Sequence, residues 1–225
     1  MHKLLVTIDG PAGAGKTTAS KHLSKRLDYR YIDTGALYRG VALEVKKRGI
    51  NHEDAAVLEK MCRSLNLKFI LNNKDTRLLS GGNDITDQIR TPEMSMLAST
   101  ISAIPVVRKY LLDVQRDMGR EKGAVFEGRD MGTVVFPDAD VKFFLEASAK
   151  TRAFRRFKEL EGQTSQTLED VERDMKQRDA NDSTRDLAPL KPAPDAVIVD
   201  STDMSIDDVV ELMFRHIKRV SDNHF

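Results

Sequence analysis

The chain has 225 residues, 40% of them hydrophobic, which is enough for a sizeable core and predicts one core domain with an inserted or appended subdomain. Its 36 basic and 35 acidic side chains leave a formal charge of +1, so bulk electrostatics gives no reason to expect nucleic-acid binding. The single cysteine, Cys62, excludes a disulfide within this sequence and a cysteine-based zinc cluster. We find no secretory signal pattern and no apolar run of about 18–20 residues, and we expect a monomeric cytoplasmic protein without a membrane partner.

Hydrophobic periodicity alternates between strand-like and helix-like along most of the chain. In the first third, strands are predicted at 4–8 and 29–32, and helices at 18–27, 36–47 and 54–65. After residue 105, helices are predicted at 105–120, 148–160, 168–178 and 206–220, and strands at 124–127, 141–145 and 196–199. Five strand candidates separated by helices predict an α/β fold with a parallel sheet and helices on both faces.

The segment between these two parts has a different pattern. Short strands at 68–71 and 76–79 surround the turn-rich 72–75, a third short piece follows 81–84, and a helix with proline near its start runs over 91–103. Hairpins pair strands antiparallel and so do not fit the strand–helix alternation of a parallel sheet. We therefore predict an inserted small α+β domain at 67–105, with 1–66 and 106–225 forming the core domain.

Residues 10–17 read Gly-Pro-Ala-Gly-Ala-Gly-Lys-Thr and match the G-x-x-x-x-G-K-[ST] pattern of a phosphate-binding loop, the P-loop. A predicted strand precedes the motif and a predicted helix follows it, so backbone N–H groups and the helix N-terminus can meet phosphate oxygens. Lys16 is predicted to reach the β- and γ-phosphates, and Thr17 to offer its hydroxyl to Mg²⁺. The residues predicted here to bind ATP are Gly10, Pro11, Ala12, Gly13, Ala14, Gly15, Lys16, Thr17 and Thr18.

Arginines recur where predicted loops should meet, and three of the groups directly follow strand candidates, at the edge where ligands of open α/β sheets bind. They are Arg39, Arg108, Arg129 beside Asp130, the helical group Arg152, Arg155 and Arg156, and the pair Arg178 and Arg185 around Asp182. Guanidinium groups bind phosphate bidentately and keep their charge, so converging arginines suit a protein that holds two phosphorylated ligands. Two alternatives stay open: the helical group as a solvated face, and the last pair as a surface ion-pair ladder with Asp182.

The chain resembles the bacterial cytidylate kinases, nucleoside monophosphate kinases of the P-loop class. The resemblance covers nearly the whole length and rests on specific motifs. They are IDGPAGAGKT at 8–17, DTGALYR at 33–39, IRTPE at 89–93, PVVR at 105–108, GRDMGTVVFPDA at 128–139 and RDANDSTRDLAPL at 178–190. The resemblance implies a three-layer P-loop fold with a five-stranded parallel sheet, a nucleotide-binding insert at 67–105 and a short helical lid at about 148–177.

The resemblance also implies the reaction. The γ-phosphoryl group of ATP would pass to CMP or dCMP, giving ADP and CDP or dCDP in pyrimidine nucleotide metabolism, with Mg²⁺ as cofactor. The implied CMP-binding residues are Thr34, Arg39, Ser99, Arg108, Arg129, Asp130, Arg178, Asp182 and Arg185. The implied catalytic residues are Lys16, Arg129, Arg152, Arg156 and Arg178, and Arg155 would bind ATP from the lid.

Within that assignment, cytosine recognition falls to Ser99, Arg108 and Asp130. The Asp130 carboxylate can accept a hydrogen bond from the cytosine 4-amino group, where uracil offers another acceptor. Two alternatives to a cytidylate kinase stay open. One is a kinase of the same class for UMP, AMP or a non-nucleotide alcohol, and the other is a nucleotide-dependent switch. The sequence lacks the Asn-Lys-x-Asp motif expected of a GTPase, which disfavours the switch.

Overall fold

The structure is a computed structural model that describes residues 3–72, 75–162 and 164–222. The chain divides into two compact units, one formed by Asp33–Met118 and the other by the residues before and after that segment. The predicted turn at 72–75 falls partly outside the described residues. No helix within the described ranges has the length and apolar character needed to cross a membrane.

The helices and strands follow one another in an order close to the predicted one. They are β1 (Leu5–Asp9), α1 (Lys16–Leu27), β2 (Arg30–Asp33), α2 (Thr34–Lys47), α3 (Ala55–Ser64), β3 (Leu67–Asn72), β4 (Asp75–Ser80), β5 (Asn83–Asp84), α4 (Pro92–Ile101), α5 (Pro105–Gly119), β6 (Ala124–Glu127), β7 (Val141–Glu146), α6 (Ala149–Leu160), α7 (Leu168–Thr184), β8 (Val197–Asp200) and α8 (Ile206–Asp222). A single π-helical turn, Met131–Val135, follows β6.

Five strands form a sheet in the order β2-β6-β1-β7-β8. Strand β1 pairs in parallel with β6 and β7, and β7 pairs in parallel with β8. This confirms the predicted α/β fold with a five-stranded parallel sheet. The register places Ile8 opposite Glu127 and Glu146 opposite Asp200, so these strands end along one edge, where ligands of such sheets bind.

The sheet is covered on both faces, which explains why every residue of β1 is buried. On one face, α1 and α8 contribute Leu23 and Met213 to a cluster with Val6 and Phe143. Each such fully buried side chain stabilises the fold by about 1.5–3 kcal/mol relative to its exposed form. The core therefore fixes the strand ends that carry the P-loop.

The unit Asp33–Met118 has its own core. Strands β3, β4 and β5 form an antiparallel sheet, and α2 lies against it because Gly40 lets Leu78 approach; a Cβ at Gly40 would lie 3.1 Å from Leu78 Cδ2. Helices α2, α3 and α5 share this core with the segment 67–105. The compact unit is thus larger than the predicted insert, and the binding role of the insert stays a prediction.

Three local features differ from the sequence-based expectation. Helix α7 continues to Thr184 instead of ending near 178, so Arg178 and Asp182 lie on one helix. Strand β5 lies at Asn83–Asp84 instead of after it. The π-helical turn after β6 was not predicted; its first two backbone N–H groups bond to a side chain of β1, which periodicity cannot reveal.

Candidate active site

The loop of residues 10–15 joins β1 to α1, and its backbone requires glycine at several positions. Gly10 has φ +144°, and a Cβ there would lie 2.0 Å from the carbonyl oxygen of Leu145. Gly13 and Gly15 also have positive φ angles, of +71° and +89°. Because Gly15 has no side chain with which to cap α1, the first N–H groups of that helix can be satisfied by an anion.

Lys16 lies at the start of α1 with only 4% of its surface exposed, and its Nζ donates to the carbonyl oxygen of Pro11 at 2.6 Å. Burial lowers the pKa of Lys16 to about 7, and the positive charges of Arg129 and Arg178 act in the same direction. Glu127 and Asp9 partly oppose this shift. An anionic phosphate beside Nζ would raise the pKa again, so the site favours a phosphorylated ligand.

Glu127, at the end of β6, bridges two elements of this edge. Its Oε1 accepts a hydrogen bond from the Thr17 hydroxyl at 2.8 Å, and its Oε2 accepts one from the Tyr31 hydroxyl at 2.6 Å. The charged run 127–130 at a strand end indicates a loop site from the sequence, but no metal-binding role was predicted for Glu127. The structure thus brings a carboxylate next to the predicted Mg²⁺ ligand Thr17.

The oxygens of Thr17 and Glu127 are suitable ligands for a Mg²⁺ ion. Hydroxyl and carboxylate oxygens are the hard ligands that Mg²⁺ prefers, and phosphates usually complete its shell. Among the described residues, no group of three or more His, Cys, Asp or Glu side chains could hold a metal ion. The Thr17 hydroxyl and the Glu127 carboxylate would fill only part of the shell of a Mg²⁺ ion.

Arg129, Arg178 and Arg185 surround the buried carboxylate of Asp182. Arg129 Nε donates to Asp182 Oδ2 at 3.0 Å, and Arg178 Nε lies 4.0 Å from the same oxygen. Burial works to raise the pKa of Asp182, but the three arginines outweigh it and hold the pKa below its ordinary value. Because Asp182 is only 3% exposed, the group is a buried charge cluster and not a surface ion-pair ladder.

Asp130 belongs to the same region. It is 2% exposed, and its Oδ1 lies 3.6 Å from Arg185 Nη2. Arg185 also donates from Nε to the carbonyl oxygen of Ala188 at 2.6 Å. Five of the predicted CMP-binding residues are therefore brought together within the unit that carries the P-loop. They are Arg129, Asp130, Arg178, Asp182 and Arg185.

The three arginines of α6 have different surroundings. Arg152 Nη1 donates to the P-loop carbonyl of Ala12 at 3.1 Å and to Asp179 Oδ2 at 2.6 Å. Arg155 donates to the hydroxyl and carbonyl oxygens of Ser201, and the Ser201 hydroxyl donates to the carbonyl oxygen of Ala14. The structure therefore links Arg152 and Arg155 to the P-loop.

Arg156 is placed differently. Its Nη1 pairs with Glu159 Oε2 at 3.0 Å on the same helix, and the two side chains are 31% and 58% exposed. The solvated-face interpretation thus fits Arg156 and does not fit its two neighbours. A cavity of about 460 Å³ adjoins Arg152; its lining includes Pro11, Glu146 and Asp179.

Thr34, Arg39, Ser99 and Arg108 lie in the unit Asp33–Met118. Thr34 is buried at the first position of α2, and Asp33, the N-cap, accepts hydrogen bonds from the Ala36 N–H and from Arg39 Nη2. These contacts fix the start of the helix that presents Thr34 and Arg39. The Asp33 carboxylate, not singled out from the sequence, orients Arg39.

On α4 and α5, Ser99 and Arg108 are linked through Ser102. Ser99 is buried, and its carbonyl oxygen accepts a hydrogen bond from the Ser102 hydroxyl at 2.7 Å. Arg108 Nη1 donates to the Ser102 carbonyl oxygen at 3.0 Å, and its guanidinium lies 5.7 Å from the ring centre of Tyr38. The structure thus brings two of the three residues predicted to read cytosine close together, whereas the third, Asp130, belongs to the other compact unit. Tyr38 had no predicted role.

Comparison with known proteins gives consistent results. A family model described as cytidylate kinase matches residues 6–219. The chain is 50% identical over 216 residues to a cytidylate kinase of Geobacter sp. (strain M21), which covers 96% of this chain and 93% of that one. It is 50% identical over 211 residues to a cytidylate kinase of Geobacter sulfurreducens, with 93% and 91% covered.

Solved structures support the fold. A gluconokinase from Sinorhizobium meliloti superposes with a TM-score of 0.50 at 12% identity, covering 98% of this chain and 95% of that one. At this identity the likeness concerns the fold and not the substrate. The P-loop, the buried arginine cluster and the family match over nearly the whole length lead to one conclusion: the chain belongs to the cytidylate kinase family.

Proposed function

We infer that this chain transfers the γ-phosphoryl group of ATP to CMP or dCMP, giving ADP and CDP or dCDP. One structural observation carries the inference most directly. The positive charges of Arg129 and Arg178 help to lower the pKa of the buried Lys16, so the cationic side chains of the P-loop and of the arginine cluster act on one another within one site. A site of this kind suits two phosphorylated ligands whose charges must be neutralised together.

The chemistry needs little from any one side chain. The acceptor is an anionic phosphate oxygen, so neither a strong general base nor a covalent intermediate is required. Catalysis rests on holding the two phosphates in line and on neutralising the charge that develops between them. We assign these tasks to Lys16, Arg129, Arg178, Arg152 and Arg156. The present pairing of Arg156 with Glu159 would have to open for Arg156 to contribute.

We propose that the donor nucleotide binds to residues 10–18 and Arg155. Its phosphates would accept hydrogen bonds from the loop and the first turn of α1, and Arg155 is held beside the loop by Ser201. Closure of the segment 148–177 over ATP would keep water from the γ-phosphoryl group. Without such exclusion, the same machinery would hydrolyse ATP.

Mg²⁺ is the proposed cofactor. The Thr17 hydroxyl would bind it, and Glu127, which accepts the Thr17 hydrogen bond at 2.8 Å, would supply a neighbouring carboxylate oxygen. When bound, the ion neutralises phosphate charge and orients the transferred group. Tyr31 keeps the second oxygen of Glu127 engaged and thereby fixes the orientation of the carboxylate.

For the acceptor, we propose that arginines bind the phosphate and that three residues read the base. Thr34, Arg39, Arg129, Arg178 and Arg185 would serve the phosphate and sugar side, with Asp182 near the sugar. Asp130 would accept from the cytosine 4-amino group, Arg108 would donate to O2 and N3, and Ser99 would complete the set. Uracil would leave the buried Asp130 carboxylate facing another acceptor, which costs about 1–3 kcal/mol.

A coupled assay of ADP release with Mg-ATP tests this proposal, using CMP, dCMP, UMP, AMP and GMP as acceptors and one reaction without acceptor. We expect strong turnover with CMP and dCMP only. Turnover with a different acceptor would overturn the base-reading assignment, and ADP release without any acceptor would favour an ATPase or a switch. Monomeric state, action in the cytoplasm and a role in pyrimidine nucleotide metabolism belong to the same proposal.

A further inference from the structure

The loop that carries Arg129 and Asp130 is held on both sides by the carboxyl end of β1. On one side, the Gly128 N–H donates to the carbonyl oxygen of Ile8 at 3.1 Å. On the other side, the carboxylate of Asp9 accepts two backbone hydrogen bonds. Two adjacent residues of β1 therefore bracket the loop.

The bonds to Asp9 are bidentate. Asp9 Oδ1 accepts from the Met131 N–H at 2.9 Å, and Oδ2 accepts from the Gly132 N–H at 2.8 Å. Only a carboxylate can accept two such parallel bonds, because an asparagine would point its own NH₂ group at one of the N–H groups. The chemistry of this position is therefore specific.

Asp9 is 4% exposed and lies on a buried strand where an apolar residue would pack. Keeping a carboxyl group there is costly: burial raises the pKa of Asp9 to about 7, against the two backbone N–H groups and Lys16, which lower it, while Asp130 adds to the rise. Both side-chain hydrogen bonds described for Asp9 go to backbone N–H groups of the Met131–Val135 turn, so this costly buried group helps to fix the position of that turn.

The Met131–Val135 turn is π-helical. Such turns are rare in proteins overall, but many of those that occur lie at functional sites. The N–H groups of Val134 and Val135 both donate to the carbonyl oxygen of Asp130. Fixing Met131 and Gly132 therefore fixes the backbone of Asp130, and with it the direction of a side chain that is itself almost fully buried.

We propose that Asp9 is a positioning residue, which holds the Met131–Val135 turn so that Arg129 and Asp130 are presented to the acceptor nucleotide. Asp9 also directly precedes Gly10, so one residue ties the acceptor-binding loop to the first residue of the P-loop. The inference rests on the proposed assignment of Arg129 and Asp130 to the acceptor.

Steady-state kinetics of Asp9→Asn tests the proposal. The variant loses one hydrogen bond and places its side-chain NH₂ group against a backbone N–H donor. We therefore expect KM for CMP to rise by about tenfold or more. The ratio of kcat/KM for CMP to that for UMP should fall about tenfold, because Asp130 is displaced. We expect KM for ATP to change less than about threefold, since the loop glycines and the α1 N-terminus stay intact.

Asp140→Asn is the matched control. Asp140 Oδ2 accepts the Leu5 N–H at 2.7 Å, so it anchors the opposite end of the same strand. A purely structural role for Asp9 predicts that both variants lose stability on thermal unfolding while both keep the wild-type KM for CMP and the wild-type CMP to UMP ratio. That result would overturn the proposal.

If Asp9→Asn does not fold, the Gly132→Ala variant tests whether the position of the turn controls CMP binding. A Cβ at Gly132 would lie 3.1 Å from Thr7 Oγ1 and would displace the same turn with Asp9 intact. A raised KM for CMP supports the proposal, and an unchanged KM contradicts it. Failure of the proposed function is distinguishable, because the wild-type chain would then not turn over CMP at all.

Discussion

Replacing Asp182 by asparagine removes the negative charge shared by Arg129, Arg178 and Arg185 but keeps the size of the side chain. Asp182 is 3% exposed, so solvent screens its interactions little. At an effective dielectric constant of about 20, a charge pair at the 3.0 Å separation from Arg129 is attracted by about 5.5 kcal/mol, and one at the 4.0 Å separation from Arg178 by about 4 kcal/mol.

Most of this gross attraction offsets the desolvation of the carboxylate. Measured losses from removing one partner of a buried pair are about 3–5 kcal/mol, because the remaining charges are left uncompensated. We expect Asp182→Asn to lose a similar free energy of unfolding. For a chain of this size that corresponds to a fall in Tm of roughly 10 °C.

Chemical and thermal unfolding between pH 8 and pH 3 measure the effect. Because the folded-state pKa of Asp182 lies below its ordinary value, its contribution is fully present above the unfolded pKa, about 3.9, and is lost as the pH falls through the folded pKa. The difference between wild type and variant should therefore stay constant from pH 8 to pH 5 and shrink below pH 4.

Glu172→Gln is the control on the same helix. Glu172 forms an exposed pair with Lys176, whose loss should cost less than about 1 kcal/mol. The reasoning is refuted if Asp182→Asn costs no more than this control, or if the cost of Asp182→Asn grows as the pH falls from 8 to 5.

Three further predictions concern the nucleotide sites. ATP binding at pH 8 should be accompanied by uptake of a proton, because the phosphates raise the pKa of Lys16 from about 7. Calorimetry in two buffers of different ionisation enthalpy measures this proton uptake, and Lys16→Met should abolish the uptake. Thr17→Val should raise the Mg²⁺ concentration for half-maximal activity by about tenfold, and an unchanged midpoint would exclude Thr17 as a ligand. Asp130→Ala should narrow the preference for CMP over UMP by about tenfold, measured as the ratio of kcat/KM values, and an unchanged ratio would show that Asp130 does not read the base.

The sequence predicts the sheet well because its signals are local. The apolar run before Gly10 and the glycine pattern of the P-loop need no tertiary information. The end of α7 was missed for the opposite reason. Residues 179–184 are mostly polar, and their helix is supported by contacts such as that of Asp182 with Arg129, which is 53 positions away in the chain.

In the candidate site, too, local motifs are predictable from the sequence and long-range contacts are not. Motif resemblance names Lys16, Thr17 and the arginines, but it does not reveal that Glu127 accepts from both Thr17 and Tyr31. The bonds from Asp9 to the turn after Asp130 span 122 and 123 positions and leave no periodic trace in the sequence. Partners of this kind follow from the sheet register, which brings the ends of β1 and β6 side by side.

Transfer of a label tests most directly whether the chain moves the γ-phosphoryl group of ATP to CMP. Enzyme, Mg²⁺ and ATP labelled in the γ-phosphoryl group are mixed with CMP, and the products are separated and counted. The account predicts that the label appears in CDP, in an amount equal to the ADP formed, with none on the protein. Label recovered as inorganic phosphate or bound to the protein, with CMP unchanged, would contradict it.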